Sequence, residues 1–350
     1  MGDTKIQIEH LGRICTLALE SVGVASDDAL LTARLLVRSE AEGAASHGLL
    51  RLPPLLERIR QGSVKPVTAM AVVKESPTTA ILDAADGIGQ VAGYRAMELA
   101  IQKAASAGLG AVTVINGGNF GRAGHPASLA TDHGMIGIAA SNASPRLVPN
   151  AGMKPMLGNN PWAVAIPTGG APVVVDMANS IVANGKIRAA KNEGQSIPEG
   201  WATDASGNAT TDPAAALKGA LIAFGGYKGW SLSLIVDMLT GVLSGGAFAD
   251  DVGSPDNTSR PQKSCYFFLA INIRHFMDVE QFTGRSETLL KRLKAASDKD
   301  VRIPGENSHH NHAAAMKNGV LVRPSAIKSL DETFKKIGLP GWDAVLERTK

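Results

Sequence analysis

The chain has 350 residues, of which 44% are hydrophobic and 19% are charged, and its formal net charge is +3 at pH 7. These values are typical of a folded globular protein with ample core, and they exclude extensive disorder. A charge so close to zero, carried by scattered Lys and Arg residues, predicts no nucleic-acid partner.

The cysteines and the N-terminal residues indicate the cellular compartment. Cys15 and Cys265 are the only cysteines, and two thiols so far apart suggest neither a disulfide framework nor a zinc site. Residues 1–10 are polar and mixed in charge, and no apolar run reaches the roughly 18 residues of a membrane span. We therefore expect a soluble, cytoplasmic protein with no membrane partner.

The first 75 residues or so have the period of amphipathic helices. Leu11 and its apolar neighbours form a first helix, Asp27 opens a second, and Pro53 opens a third that Gly62 ends. Further helices are predicted over 91–107, 126–132, 232–242, 278–296 and from about 325; the one over 232–242 is expected to be buried, and the last to pack on the N-terminal helices.

From about residue 72 onward, short apolar runs indicate strands between these helices. Residues 250–263 are polar and rich in turn formers, which indicates a loop. Strands mixed with helices along the chain predict an α/β fold. The strand candidates are 72–73, 80–82, 111–115, 136–140, 163–166, 173–176 and 265–273.

The stretch from Ser46 to Arg51 is the most informative one for chemistry. Its sequence SHGLLR places His47 and Arg51 four residues apart, which is one turn of a helix. A histidine can pass a proton near neutral pH, and an arginine can hold a carboxylate through two parallel hydrogen bonds. The alternative is the polar face of a partly exposed helix.

Two glycine-rich turns are candidates for phosphate binding. Residues 87–93 (GIGQVAG) lack the acidic residue that should end a second strand, so they indicate a tight turn at the start of a helix. Residues 117–125 (GGNFGRAGH) follow a strand, and Arg122 adds charge, so they predict either a phosphate site or a simple strand-to-helix turn.

Other polar turns extend the candidate site. Three turns, at 142–145, 157–161 and 176–180, each adjoin a strand, as residues that line a ligand crevice do. Lys228 stands on a glycine-rich turn where it can meet a phosphate or carboxylate, or only solvent. The histidines at 309, 310 and 312 have one acidic neighbour, Glu306, and indicate a polar loop with one or two functional histidines rather than a metal site.

The order and spacing of these motifs resemble the malate/L-lactate dehydrogenase type 2 family, also called sulfolactate dehydrogenase-like, across residues 5–325. The resemblance implies an α/β fold in which a non-Rossmann, mixed-sheet cofactor domain adjoins a helical domain, and it implies homodimers. It also implies NADH or NADPH as the cofactor and a small carboxylate substrate, interconverted as a 2-oxo acid and a 2-hydroxy acid. The motifs that carry it are SHGLLRLP (46–53), DGIGQ (86–90), GGNFGRAG (117–124), LGNNP (157–161), DMANS (176–180), NGKI (184–187), IPEGWATD (197–204) and GGYKG (225–229).

The resemblance also assigns roles to residues and ranges of this chain. His47 is expected to donate the proton, Ser46 to orient it and Arg51 to anchor the substrate. Residues 118–249 are expected to form the cofactor domain, and 1–117 with 250–350 the helical, substrate and dimerisation domain. The expected cofactor contacts are Asn119, Phe120, Gly121, Arg122, Ala123, Ser141, Asn159, Asp176, Met177, Ala178, Lys228, Gly305 and Glu306.

Departures from the family pattern leave the substrate open. Asn119 stands where relatives often have His, and Leu55 where many have Tyr. Lys186 lies where relatives that reduce cyclic imino acids can have an acid nearby, which favours a keto or hydroxy acid here. The alternatives are a reductase of cyclic imino acids and a catalytically silent ligand-binding homologue.

Overall fold

The fold is described by a computed structural model that covers residues 4–297 and 299–349. The predicted strands are all present in it. The strands are β1 (Thr4–Ile6), β2 (Ala71–Glu75), β3 (Thr79–Asp83), β4 (Leu109–Gly117), β5 (Met135–Ser141), β6 (Leu147–Val148), β7 (Trp162–Ile166), β8 (Val173–Met177), β9 (Ala202–Thr203), β10 (Ala209–Thr210), β11 (Leu221–Ile222), β12 (Ser264–Asn272) and β13 (Val320–Val322).

The predicted helices are present too, with additional ones between them. One of these, Glu306–Asn318, has 13 residues and carries the three histidines, so the expectation of a polar loop there is wrong. The helices are α1 (Ile8–Glu20), α2 (Ser26–Ala41), α3 (Leu52–Arg60), α4 (Gly89–Ala107), α5 (Gly124–Leu129), α6 (Asn184–Asn192), α7 (Pro213–Ala216), α8 (Tyr227–Asp237), α9 (Val279–Ala295), α10 (Glu306–Asn318), α11 (Pro324–Lys336) and α12 (Trp342–Arg348).

A mixed sheet of seven strands forms the centre, in the order β2-β3-β4-β12-β5-β7-β8. Within it β3 and β4 run parallel, and the other neighbouring pairs are antiparallel. A doubly wound dinucleotide fold has a mainly parallel sheet, so the prediction of a non-Rossmann α/β fold is confirmed. Strands from both expected domains share this sheet, and the division at residues 117 and 250 stays a prediction.

Three hydrophobic cores surround the candidate site. The first joins α1–α3 to α11 and α12, where the rings of Phe334 and Trp342 stack 6.2 Å apart, as expected for a C-terminal helix packed on the N-terminal ones. The second lies between the central sheet and α4 and α5. The third is small and contains Leu147, Ile187 and Leu221 around a four-stranded sheet, β10-β9-β11-β6. The site lies where these cores meet, on turns that each core holds in place.

The apolar helix predicted over 232–242 is present, but the expectation that it is buried is wrong. It comprises α8 and a π-helical turn, Met238–Val242. Ile235, Met238 and Val242 are each about half exposed, at 51%, 49% and 52%. A helix that is apolar on all sides is expected to be buried on all sides. In this chain only one side of it packs against the rest of the protein, and the other side is exposed.

No helix in the part of the chain that the structure describes has the length and apolar character needed to cross a membrane.

Candidate active site

Two consecutive 3-10 turns carry the predicted proton carrier and carboxylate anchor. Ala45–His47 forms the first and Leu49–Arg51 the second, with Gly48 in a non-helical conformation between them. The expectation of one continuous helical turn is wrong because Gly48 packs directly on α2. A Cβ at this position would lie 2.1 Å from Glu40 Oε2, so only glycine permits the approach.

Glu40 fixes this pair of turns to helix α2. Its Oε2 accepts a hydrogen bond of 2.8 Å from the backbone N–H of Leu49. Glu40 is buried, and burial raises the pKa of its carboxyl group. Leu49 and Leu52 enter the first core beside it, so the backbone that carries His47 and Arg51 is held by packing as well as by a hydrogen bond.

The polar atoms of His47 and Arg51 are arranged for two different tasks. Ser46 Oγ lies 3.0 Å from His47 Nδ1, and Arg51 Nε donates to the Ser46 carbonyl at 2.7 Å. Within the described residues, no hydrogen bond involves His47 Nε2 or the two terminal nitrogens of Arg51. The ring therefore has one nitrogen for proton exchange, and the guanidinium keeps the fork that binds a carboxylate.

Burial and positive neighbours make His47 a weak base in this state. Burial lowers its pKa most, and Arg51, Arg122 and His125 act in the same direction, whereas Asp176 opposes them. The result is a pKa of about 4. At pH 7 the imidazole is therefore neutral and able to accept a proton.

A buried ionic cluster stands beside His47. Arg122 donates from Nε to Asp176 at 2.9 Å and from Nη1 to Glu42 at 2.5 Å. His125 and Arg38 lie 3.0 Å and 2.7 Å from the same Glu42 carboxylate. Burial alone would raise the pKa of Glu42, but His125, Arg38 and Arg122 hold it at about 2. Arg122, expected as free charge for a phosphate, is thus shared by two carboxylates.

A cavity of about 1460 Å³ opens on one side of this cluster. Arg122, Asp176, Met177 and Gly305 line it, and it exceeds the roughly 300–1,000 Å³ of a typical ligand site. In the described chain, Asp176 Oδ1 makes no hydrogen bond, so it is available to a ribose hydroxyl. The cavity is large enough for a nicotinamide dinucleotide, but Ser46, His47 and Arg51 are not among the residues that line it.

Gly305, one of the expected cofactor contacts, lines this cavity at the start of α10. It has φ +94° and starts α10 against β8, where a Cβ would lie 3.0 Å from the Val174 nitrogen. Val174 N–H donates to the carbonyl of Pro304 at 3.0 Å. The carboxylate of the adjacent Glu306 pairs with Lys294 and accepts from Ile303 N–H, so Glu306 stabilises the turn.

Ser141, Asn159 and Lys228 form a second group outside this cavity. Asn179 N–H donates to the Asn159 carbonyl at 2.9 Å, and the Asn179 carbonyl accepts from Phe224 N–H at 3.1 Å, just before the helix of Lys228. Ser141 Oγ donates to the Asn142 carbonyl at 2.8 Å. Residues 176–179 therefore connect the two groups of expected cofactor contacts.

The glycine-rich turns show which side chains belong to the core. Phe120 is buried, with its ring centroid 4.9 Å from that of Tyr266, and Ala123 is buried beside it. Asn119 is exposed, and its Oδ1 accepts from Gly121 N–H at 3.1 Å. A Cβ on Gly89 would lie 2.4 Å from the Asn119 carbonyl, so the glycines of 87–93 form the expected tight turn at the start of α4.

Leu55, which stands where many relatives have Tyr, packs against the first core.

In the described residues, no group of three or more His, Cys, Asp or Glu side chains is placed to hold a metal ion.

Sequence reasoning missed the carboxylates that organise the site, Glu40 and Glu42, and the buried His125. The only local signal is the i,i+4 spacing of Arg38 and Glu42 on α2. The other partners of Glu42 are Arg122 and His125, 80 and 83 residues away in the chain. Such distant pairing leaves no periodic trace in a single sequence.

The comparisons with known proteins give the class and then the family. A family model described as malate/L-lactate dehydrogenase matches residues 6–331. The protein is an NAD(P)-dependent enzyme of the dehydrogenase and reductase class that acts on CH–OH or CH–NH groups, and its cofactor is NADH or NADPH. The chain belongs to the malate/L-lactate dehydrogenase family, which confirms the resemblance of its motifs.

Three similar proteins illustrate the range of the family. Malate dehydrogenase from Pyrococcus abyssi is 35% identical over 352 residues, covering 97% of this chain and 96% of the relative. Delta(1)-pyrroline-2-carboxylate/Delta(1)-piperideine-2-carboxylate reductase from Pseudomonas putida is 33% identical over 299 residues, covering 84% and 86%. The structure of sulfolactate dehydrogenase from Methanocaldococcus jannaschii is similar with a TM-score of 0.89 at 34% identity, covering 99% of both chains.

Proposed function

We propose that this enzyme interconverts a 2-oxo acid and a 2-hydroxy acid of the malate, lactate or sulfolactate type, with His47 as the acid/base. The observation that carries the proposal is that two adjacent 3-10 turns present His47 Nε2 and the terminal nitrogens of Arg51, none of which has a hydrogen-bond partner among the described residues. Relatives named malate dehydrogenase and sulfolactate dehydrogenase support the substrate class.

Arg51 and Ser46 fix the reacting groups. The guanidinium of Arg51 binds the substrate carboxylate, and its Nε bond to the Ser46 carbonyl prevents it from swinging away. Ser46 Oγ holds His47 Nδ1, so Nε2 is the ring nitrogen presented to the substrate oxygen. Fixing both ends of a small substrate supplies much of the catalytic advantage of an enzyme site.

The charge around His47 changes when substrate binds. In the free enzyme the ring is neutral at pH 7, which suits it to accept the proton of a 2-hydroxy acid. In the free enzyme, the positive charge of Arg51 lowers the pKa of His47. The carboxylate of a bound substrate offsets that charge. Substrate binding therefore raises the pKa of His47 and allows the ring to carry the proton needed for reduction of the 2-oxo acid.

The two groups of contacts joined by residues 176–179 are proposed to hold the cofactor. Arg122, Asp176, Met177 and Gly305 face the cavity, and Asp176 Oδ1 is the acceptor for a ribose hydroxyl. Ser141, Asn159 and Lys228 extend the site towards the start of α8. When bound, the nicotinamide cofactor supplies or accepts the hydride.

Reduction of cyclic imino acids is the second candidate, because one relative is named as a reductase of such compounds. Helix α6 begins close to Ser46, where a Cβ on Gly185 would lie 3.1 Å from the Ser46 Cβ. Its sequence, NGKIRAAKN, contains no acid and presents the exposed Lys186. A cyclic imine accepts hydride as its positively charged iminium, and a cationic helix beside the histidine disfavours that additional positive charge.

A substrate panel tests the proposed function. The enzyme is mixed with NADH and separately with NADPH, and the loss of cofactor absorbance is followed with pyruvate, oxaloacetate, sulfopyruvate and five- and six-membered cyclic imino acids. We expect turnover of at least one 2-oxo acid. Turnover confined to the imino acids would contradict the proposal and support the second candidate.

We also propose that the enzyme is a homodimer that pairs through an apolar face formed by α8 and Met238–Val242. Ile235, Met238 and Val242 are about half exposed on it, with Leu243 exposed next to them. An apolar, uncharged face matches a second copy of itself, which is the requirement of a twofold interface. Lys228 starts the same helix, so this interface would border the cofactor site.

Charged substitutions on this face should dissociate the dimer. We expect the double variant Ile235→Lys/Val242→Lys to be monomeric in sedimentation equilibrium at a concentration where wild type is dimeric, because buried unpaired charge is costly. Leu293→Lys, on the exposed helix α9, is the matched control, since Leu293 is likewise 47% exposed. A monomeric wild type, or a double variant that stays dimeric, would contradict this interface.

A further inference from the structure

A basic cluster, consisting of Arg51, Arg146 and Arg188 with the single carboxylate of Asp256, lies beside the catalytic turns. Asp256 accepts from Arg188 at 2.7 Å and from Arg146 at 3.3 Å through its two carboxylate oxygens. Arg188 belongs to α6, Arg146 precedes β6, and Asp256 lies in the 250–263 loop. Three segments distant in the chain thus converge on one carboxylate.

The cluster reaches Arg51 through the start of α6. Gly185 packs on Ser46, whose carbonyl accepts from Arg51, so α6 and the catalytic turns are in direct contact. Burial lowers the pKa of Arg51 most, Arg188 lowers it further, and Asp256 acts in the opposite direction. The charges of Arg188 and Asp256 therefore act on the residue proposed to bind the substrate carboxylate.

The loop that carries Asp256 is held from the opposite side. Arg58 of α3 donates to the carbonyls of Asn257 at 2.8 Å and of Arg260 at 3.1 Å. Ser63 Oγ donates to the carbonyl of Thr258. Asp256 is consequently fixed between the helical core and the small four-stranded sheet, and it keeps Arg188 in place near Arg51.

The charges of this cluster do not balance. Arg146 and Arg188 share the Asp256 carboxylate, and Arg51 has no carboxylate partner among the described residues. This leaves two positive charges, the number that a dianionic substrate would neutralise. Arg188 is accessible as well, because its side chain is 52% exposed. Arginine forks bind carboxylate and sulfonate groups through paired hydrogen bonds.

We propose that Arg188 is a specificity-determining residue, which binds a second acidic group of the substrate while Arg51 binds the first. This inference rests on the proposed function, and it narrows the substrate to dianionic 2-oxo and 2-hydroxy acids. Asp256 acts as an internal counter-ion that orients Arg188 until substrate arrives. Its other partner, Arg146, keeps Asp256 bound when Arg188 turns to the substrate.

Matched substrates and variants test this proposal. kcat/KM is measured with oxaloacetate and with sulfopyruvate, which carry a second acidic group, and with pyruvate, which does not. We expect Arg188→Gln to lower kcat/KM for both dianions by about 10- to 100-fold, the worth of a charge-assisted pair, and to affect pyruvate far less. Lys191→Gln, which removes an exposed cation from the last turn of the same helix, should leave all three values close to wild type.

Equal losses for dianions and pyruvate in Arg188→Gln would overturn the proposal, since they indicate a structural role. Unchanged kcat/KM for both dianions would overturn it as well. Calorimetric binding of succinate and butyrate to the enzyme with NADH gives a readout apart from turnover. If no 2-oxo acid reacts, the proposed function fails, and weaker binding of succinate alone in Arg188→Gln would still support the second acidic subsite.

Discussion

Replacing His47 with alanine is expected to lower kcat by roughly 10²–10⁴-fold, the usual contribution of a positioned acid/base. NADH binding, measured by fluorescence titration, should stay at the wild-type value, because the cavity that fits the dinucleotide is lined by Arg122, Asp176 and Gly305. The variant should fold, since His47 lies on a half-buried turn that Glu40 and the first core hold in place.

Two further variants separate proton transfer from general effects of losing an imidazole. His133→Ala removes an exposed histidine remote from the catalytic turns and should leave kcat unchanged. Ser46→Ala removes only the bond to Nδ1, so its loss of kcat should be smaller than that of His47→Ala. A His47→Ala enzyme that works near the wild-type rate would show that another group handles the proton.

Local periodicity located the longer strands and most of the longer helices, but it missed α6 and α10 and could not supply the strand order. The strand predicted over 265–273 is present as β12 (Ser264–Asn272). It inserts between β4 and β5, so that Tyr266 pairs with Val114 on one side and Ser141 on the other. Those partners lie more than 120 residues away. Any apolar strand of suitable length could occupy the position, so nothing local selects the neighbour.

The same distinction applies to the site. His47 and Arg51 were recognisable because both lie within one hexapeptide, and the structure keeps them together on adjacent turns. The charges that shift the pKa of His47 were not recognisable. Arg122 and Asp176 are distant from it in the sequence and come near it only in the folded chain. Position 48 is a second example. It requires glycine only because the folded chain places it against Glu40, and the local sequence does not reveal that contact.

Replacing Arg51 with glutamine is expected to lower kcat/KM for the 2-oxo acid by about 10²-fold or more, mainly through a higher KM. Each charge-assisted hydrogen bond to a carboxylate contributes about 1.5–3 kcal/mol, and the free fork of Arg51 offers two. Steady-state kinetics with the best substrate of the panel measures this loss. A KM equal to that of wild type would show that the carboxylate binds elsewhere.

The same variant should also move the pH profile of 2-hydroxy acid oxidation. After burial, Arg51 is the largest cause that holds the pKa of His47 near 4, so its removal raises this pKa towards 6.5. His47 acts as a base only when neutral, so the acid limb of kcat/KM shifts to higher pH in Arg51→Gln. Arg51→Lys keeps the charge but not the fork, and should raise KM while leaving the limb in place. An unchanged limb in Arg51→Gln would mean that another charge controls the imidazole.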